Sequence, residues 1–204
     1  MNISREQWRM IIALVLVAVI STVLLGITNM LTKAPIAQAQ RQALMQALMQ
    51  VLPGHSNDPI TDTFILRPKA HQPITFYISR NQEQQINAIA WETIAPDGYN
   101  GSIHILIAVN PDSSIHAIRI IDHQETPGLG DGIVKNIPWI QAFSGKSLSN
   151  ARWAVRKDGG DFDQFTGATI TPRAVVKAVK KALHMFAQSQ VLSLASKSEL
   201  HHAQ

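Results

Sequence analysis

Ile103-His104-Ile105-Leu106-Ile107-Ala108-Val109 decides the fold, because Ile103, Ile105, Ile107 and Val109 stand at every second position and share one face of an extended chain. Working outward, residues 74–79, 86–91 and 115–121 are also short, β-branched and alternating, with turn residues between them. Together they predict antiparallel strands with one covered face. A further short strand is expected at residues 63–66, inside a connector over residues 55–72 that is rich in Pro, Asp, Asn and Thr. C-terminal to the strands, a helix is expected around residues 132–143 and a strand near 152–155. After Thr171-Pro172 the period becomes helical, with Val175, Ala178, Val179, Ala182, Leu183 and Phe186 forming an apolar stripe. The class is α+β.

The other end of the chain has a different character. From Met10 to Ile27 the sequence MIIALVLVAVISTVLLGI carries no charge, and none occurs between Arg9 and Lys33. As a helix this run crosses a hydrocarbon core of roughly 30 Å. Arg5 and Arg9 precede it, which keeps the N-terminus cytoplasmic and sends the following residues out of the cytoplasm. Ala37-Gln38-Ala39 has the small-x-small look of a processing site, so a cleaved signal peptide is the rival reading. The apolar run exceeds the usual signal core of roughly 7 to 15 residues, which favours an uncut anchor. Residues 34–52 read as a membrane-proximal helix with Leu44, Met45, Leu48, Met49 and Leu52 in a stripe and Pro53-Gly54 as its stop. The expected organisation is a cytoplasmic N-terminus over 1–9, a transmembrane helix over 10–31, and a membrane-proximal helix and connector over 32–72. One domain over 73–188 and a polar tail over 189–204 complete it.

Composition narrows the chemistry. The 204 residues include no cysteine, which removes disulfides, thiolate metal sites and iron–sulfur ligation from this chain. Redox chemistry here needs an organic cofactor or other metal ligands. The net charge of +4 comes from dispersed Lys and Arg with no aromatic interleaving, so nucleic acid is not an expected partner.

The densest chemistry lies in Asp158-Gly159-Gly160-Asp161-Phe162-Asp163-Gln164-Phe165-Thr166-Gly167-Ala168-Thr169-Ile170-Thr171-Pro172. Thr171 reads as a helix N-cap and Pro172 as the first helical residue, where a missing N–H costs nothing. Thr169 then sits just ahead of a helix N-terminus, where unpaired N–H groups and the helix dipole favour a phosphate, with Arg173 adding a charge. Gly167 and Ala168 leave little bulk beside Thr169. An ordinary capped helix after a glycine turn accounts for the same residues, and local physics leaves both readings open.

Asp163-x-x-Thr166-Gly167-Ala168-Thr169 resembles the D-x-x-(S/T)-G-A-T signature at which FMN-binding domains of the Rnf/Rsx electron-transport complex and of the sodium-pumping NADH:quinone reductase are flavinylated. Gly98-Tyr99-Asn100-Gly101 and His123-Gln124-Glu125-Thr126-Pro127-Gly128-Leu129-Gly130 fit the same family, in the same order. With the N-terminal anchor these stretches cover nearly the whole chain, and the resemblance is to the G subunits of the Rnf/Rsx complex. It implies one FMN-binding domain with a largely antiparallel sheet and flanking helices behind a single transmembrane helix. It further implies FMN joined through its phosphate to Thr169 by a separate flavin transferase that uses FAD and magnesium. A threonine hydroxyl is a weak nucleophile and needs such help. Around the acceptor the resemblance places Thr166, Gly167 and Ala168. Beside the flavin it places Glu125, Thr126, Gly128 and Leu129, with Pro127, Gly128 and Gly130 letting backbone N–H groups approach. The implied role is an electron carrier in the bacterial inner membrane, its bulk periplasmic, working with other membrane and iron–sulfur subunits. No residue is assigned a catalytic or metal-ligating role.

Other features carry less. Asp158, Asp161 and Asp163 lack the alternation and terminal Glu of a calcium loop and read as solvated turn carboxylates. The eight histidines show no metal-ligand spacing, and His201-His202 fall in the expected tail. Lys177, Lys180 and Lys181 read as a solvated helix face. Tyr99 is placed to stack near a ring, although a hairpin turn explains its glycine neighbours equally well. Two alternatives stand beside the first reading: the corresponding FMN-carrying C subunit of the sodium-pumping quinone reductase, which is longer, and a cofactor-free exported scaffold.

Overall fold

The computed structural model describes residues 4–67, 72–189, 191–193 and 195. Its first element is α1 (Arg5–Val51), followed by the strands β1 (Thr63–Leu66), β2 (Ile74–Arg80), β3 (Ile86–Ala95), β4 (Ile103–Val109) and β5 (Ile115–Asp122). Then come α2 (Gly132–Lys135), α3 (Ile137–Gln141) and α4 (Ile170–Gln188). The chain divides into two compact units, one ending at Leu44 and one beginning at Met45.

In the first unit α1 is long and apolar enough to cross a membrane, with a window of mean hydropathy 3.0 that is nowhere buried. The helix does not stop where the uncharged run ends. It continues through Pro35 to Val51, a length of about 70 Å at 1.5 Å per residue. Thr22, Thr28 and Thr32 donate their hydroxyls to the carbonyls of Ala18, Leu24 and Thr28, each at 2.8 Å, so these polar side chains are satisfied along the helix.

Within the second unit the last turns of α1 bury Ala47, Leu48, Val51 and Leu52, while Met49 of the expected stripe points to solvent. The five strands form one antiparallel meander in the order β1-β2-β3-β4-β5. Register sets Phe76 opposite Trp91, Trp91 opposite Ile107 and Ile107 opposite Ile118, which lines large side chains across one face. Against this face pack Val175, Val179, Ala182, Leu183 and Phe186 of α4. Phe186 stacks on Trp91 with ring centroids 5.1 Å apart and planes 3° from parallel. An aromatic pair of this kind adds about 0.5–1.5 kcal/mol beyond its burial.

Only one covered face was expected, yet Ala88, Ala90, Leu106 and Ala108 on the opposite face are buried too. The small size of the three alanines suits close cover by a helix. The end of α1 offers a buried apolar stripe of matching character, and Asn87 donates its amide to the Gly54 carbonyl at 2.9 Å where the chain leaves that helix.

Three further expectations are corrected. The single helix over 132–143 is two short ones, because Asn136 at φ −85, ψ 85 leaves the helical region while its side chain caps Trp139 N. The strand near 152–155 reduces to one bridge between Val155 and Phe162. Gly160 explains this: a Cβ there would lie 1.8 Å from the Ala154 carbonyl oxygen, so the chain folds back on itself at van der Waals contact. Trp139, Phe143, Trp153, Phe162 and Phe165 form a second aromatic cluster that supports the segment leading into α4. The expected polar tail also begins too early, since Val191 and Ala195 are fully buried. His201 and His202 lie outside the described residues.

Phe186→Ala removes the ring that stacks on Trp91 and leaves a cavity, so the detergent-solubilised chain should lose about 3–5 kcal/mol in a denaturant titration. Met49→Ala, an exposed change of similar kind, should stay within about 0.5 kcal/mol.

Candidate functional site

Three loops converge at the N-terminal end of α4. The first joins β3 to β4 and contains Gly98 to Gly101; the second follows β5 and contains Glu125 to Gly130; the third is the segment before α4. They enclose a cavity of about 230 Å³ lined by Tyr99, by Glu125, Thr126, Leu129 and Gly130, and by residues 167–171. Of the residues expected at a site, Glu125, Thr126, Leu129, Gly167, Ala168 and Thr169 therefore meet at one place. Gly128 and Thr166 do not line the cavity, although they belong to the same loops.

The third loop turns at Gly167, whose φ of +77 is a left-handed conformation that favours glycine. Ala168 N–H donates to the Phe165 carbonyl at 3.1 Å, closing the turn. Helix α4 then starts at Ile170, two residues earlier than expected, so Thr169 and not Thr171 takes the N-cap position. Thr169 has φ −69 and ψ −26 and makes no side-chain capping bond. Among the described residues its hydroxyl has no hydrogen-bond partner, and it lies beside the first-turn N–H groups.

Thr171 fails as a cap for a physical reason. It lies inside the helix, one position after Ile170, and its buried hydroxyl is turned to the Glu125 carboxylate, to which it donates. Glu125 is itself only 4% exposed. Its other oxygen accepts the Asn100 N–H at 3.2 Å, while the Asn100 amide donates to the Thr126 hydroxyl at 2.9 Å. The glycines make room for this carboxylate. A Cβ at Gly130 would come within 2.7 Å of one Glu125 oxygen, and a Cβ at Gly98 within 2.9 Å of the other.

The N–H groups expected to face a ligand from the second loop are occupied within it. Gly128 donates to Asp131 at 2.8 Å, and Leu129 and Gly130 both donate to the Thr126 carbonyl. The loop thus presents side chains and Cα atoms to the cavity. Asp131 is held below the usual carboxylate range chiefly by the Lys135 ammonium and further by the Gly128 N–H.

Arg173 is likewise engaged. It grips Asp158 through two bonds of 2.7 and 2.9 Å, so its charge serves the loop, not the Thr169 hydroxyl. Asp161 pairs with Arg152 and Asp163 with Arg156, each at 2.8 Å. These carboxylates are arginine partners, where solvated turn residues were expected. The Arg173 guanidinium holds Asp158 below the usual carboxylate range.

Taken as chemistry, the site offers a free hydroxyl at a helix N-terminus, an apolar rim of Tyr99, Leu129 and Ile170, and one buried carboxylate. The N-terminus suits a phosphate, which finds N–H donors and a positive dipole end there. The rim suits a flat ring. A cavity below the roughly 300–1,000 Å³ that buries a ligand whole leaves part of such a group outside.

Comparison with known proteins gives the following. Residues 98–184 match the sequence profile of the FMN-binding domain, and residues 9–51 that of the RnfG N-terminal region. The G subunit of the ion-translocating oxidoreductase complex of Aliivibrio fischeri is 44% identical over 189 residues, covering 88% of this chain and 90% of that protein. The protein of the same name from Pseudomonas aeruginosa is 40% identical over 210 residues, 97% of each. Among solved structures, Shewanella oneidensis NqrC is similar at 22% identity with a TM-score of 0.47, over 60% of this chain and 66% of that one.

Two outcomes follow from the site's geometry. Glu125→Ala strands the buried Thr171 hydroxyl, at a cost of about 1–3 kcal/mol for that donor, and should lower the midpoint of thermal unfolding. The Asp158–Arg173 pair contributes stability above the ordinary carboxylate pKa and loses it only as pH falls through the lowered folded value. Carboxyl-carbon NMR should therefore show Asp158 titrating below a solvated aspartate.

Proposed function

The chain belongs to the family of G subunits of ion-translocating oxidoreductase complexes, and from that premise we propose that it is a membrane-anchored electron carrier whose FMN is esterified to Thr169. The observation that carries this reading is the unengaged Thr169 hydroxyl, set at the start of α4 on the wall of the cavity where all three loops meet.

The residues fit the group. A phosphodiester at Thr169 keeps one negative charge, which the first-turn N–H groups of α4 stabilise. Tyr99, Leu129 and Ile170 offer apolar surface to a ring, and Glu125, Asn100 and Thr171 fix the loops around it. When bound, FMN supplies reversible two-electron chemistry that no side chain of this chain provides.

Attachment needs an outside catalyst. Among the described residues no side chain accepts a hydrogen bond from Thr169, so nothing here activates its hydroxyl as a nucleophile. A flavin transferase with FAD and magnesium accounts for the bond: Thr169 Oγ attacks the FMN-side phosphorus, the diphosphate linkage breaks, and AMP leaves. Thr166, exposed and off the cavity wall, is not the acceptor.

Arg5 and Arg9 hold the N-terminus in the cytoplasm, which puts the FMN domain on the periplasmic side of a bacterial inner membrane. Other membrane and iron–sulfur subunits of the complex deliver and accept the electrons. Ion movement belongs to those partners, since α1 carries no ionisable residue between Arg9 and Lys33.

Full-length protein from cells that contain the transferase should show a fluorescent flavin band that survives denaturing electrophoresis. Thr169→Ala should abolish the band and Thr166→Ala should retain it. A colourless wild-type band, or a band that persists in Thr169→Ala, sinks the assignment.

A further inference from the structure

Among the described residues that line the cavity, Glu125 is the only one with a carboxylate or a basic side chain; the others are Tyr99, Thr126, Leu129, Gly130 and residues 167–171. Its carboxylate is buried, and both of its oxygens accept hydrogen bonds from neutral groups, the Thr171 hydroxyl and the Asn100 N–H. Among the described residues no Lys, Arg or His forms an ion pair with it. The aspartates of the loop before α4 each have an arginine, whereas the acidic group in the cavity wall has none.

Such an arrangement is costly to build. A buried carboxylate with only neutral partners forgoes the compensation a guanidinium gives, and Gly130 is committed to making room for it. If the only need were to tie the loops, a glutamine would serve, since its amide oxygen takes the Asn100 N–H and the Thr171 hydroxyl can reverse to accept from its NH₂. What the carboxylate adds is charge.

Resting on the reading of Thr169 as the flavin carrier, we propose that the buried, cation-free carboxylate of Glu125 biases the attached flavin toward its oxidised form and so lowers its reduction potential. Two-electron reduction with uptake of one proton leaves a flavin one charge more negative. A fixed negative charge in the cavity wall opposes that change, and partial exclusion of water strengthens the effect. Glu125 in this role is an electrostatic and positioning residue. The electrons come from outside the chain and leave it again, so the carboxylate shifts the equilibrium without being consumed.

The test uses full-length protein, flavinylated in cells and purified in detergent, with flavin stoichiometry read by intact mass. Midpoint potentials come from dye-mediated titration with dithionite, followed by flavin absorbance. Glu125→Gln should load flavin like wild type. At the wild-type midpoint potential its ratio of reduced to oxidised flavin should rise at least tenfold, about 30 mV for a two-electron couple. Asp97→Asn serves as the control: it makes the same change in net charge on the same loop as Asn100, but at an exposed position paired with Lys177. Solvent screening should hold its ratio within about twofold of wild type.

Equal potentials in wild type and Glu125→Gln overturn the proposal, as does an equal shift in Asp97→Asn. If Glu125→Gln takes up no flavin, Thr171→Val decides. It withdraws a donor from the carboxylate while keeping the charge, so its potential should fall below wild type; an unchanged or higher value overturns the proposal. Failure of both variants to load overturns it too, because Glu125 and Thr171 then serve to build the acceptor. A wild-type protein without flavin defeats the carrier reading itself, which separates the two failures.

Discussion

A single buried carboxylate holds the site together. Glu125 joins Asn100 from the loop after β3 to Thr171 from the first turn of α4, so groups 25 and 46 residues away in sequence converge on one side chain. Because the Thr171 donor is removed from water, losing the acceptor strands a buried polar group, and that asymmetry makes the contact a constraint and not merely a favourable addition. Gly130 is small for the same reason, since a Cβ there would collide with the carboxylate, whereas a Cβ at Gly98 would first meet the Gly101 carbonyl oxygen and then the other Glu125 oxygen. Gly130 is thus a condition for one hydrogen-bonded group, while Gly101 and Gly128 hold the positive-φ backbone of their loops.

The sheet makes that convergence possible. A meander of five antiparallel strands places the β3–β4 turn and the end of β5 at the same edge, and α4 lies across the face that carries Trp91, Ile105 and Ile107. With α4 fixed by Phe186 on Trp91 toward its C-terminal end, its N-terminus is fixed as well, and with it Thr169. The aromatic cluster around Phe143 and Phe162 steadies the incoming segment from the other side. Three arginine–aspartate pairs then pin the turns of that segment, which explains why Arg173 faces Asp158 and not the helix start.

Much of this was legible in the sequence, and the failures share a cause. Strand positions were readable because alternation is a property of local sequence: 103–109 was placed to the residue and β2, β3 and β5 were extended by one to four residues at their ends. The uncharged run from Met10 was equally plain. What could not be read was any outcome decided by a distant partner. Thr171 has the chemistry of a cap, but a carboxylate 46 positions away took its hydroxyl. Arg173 has the chemistry of an anion ligand, but Asp158 took its guanidinium. The N–H groups of Gly128 to Gly130 were free on paper and are bonded within their own loop. The buried second sheet face, with Ala88 and Ala108, was hidden because alanines do not announce burial as isoleucines do.

The size of the cavity bears on why a carrier of this kind would use a covalent bond. A space of about 230 Å³ encloses a phosphate and part of a ring system but not the whole of a flavin mononucleotide. Affinity from so shallow a site is limited, and with the domain outside the cytoplasm, as proposed, a dissociated cofactor would be lost. Deepening the pocket would retain the cofactor but would also bury the ring, and a relay must leave its ring accessible to both donor and acceptor. On the proposed reading, the ester at Thr169 separates these demands. Retention is assigned to one bond at the start of a well-packed helix, which leaves the rim of Tyr99, Leu129 and Ile170 exposed. The long helix α1 then has only to keep the domain at the membrane, and it can do so without contributing a single charge to the bilayer interior.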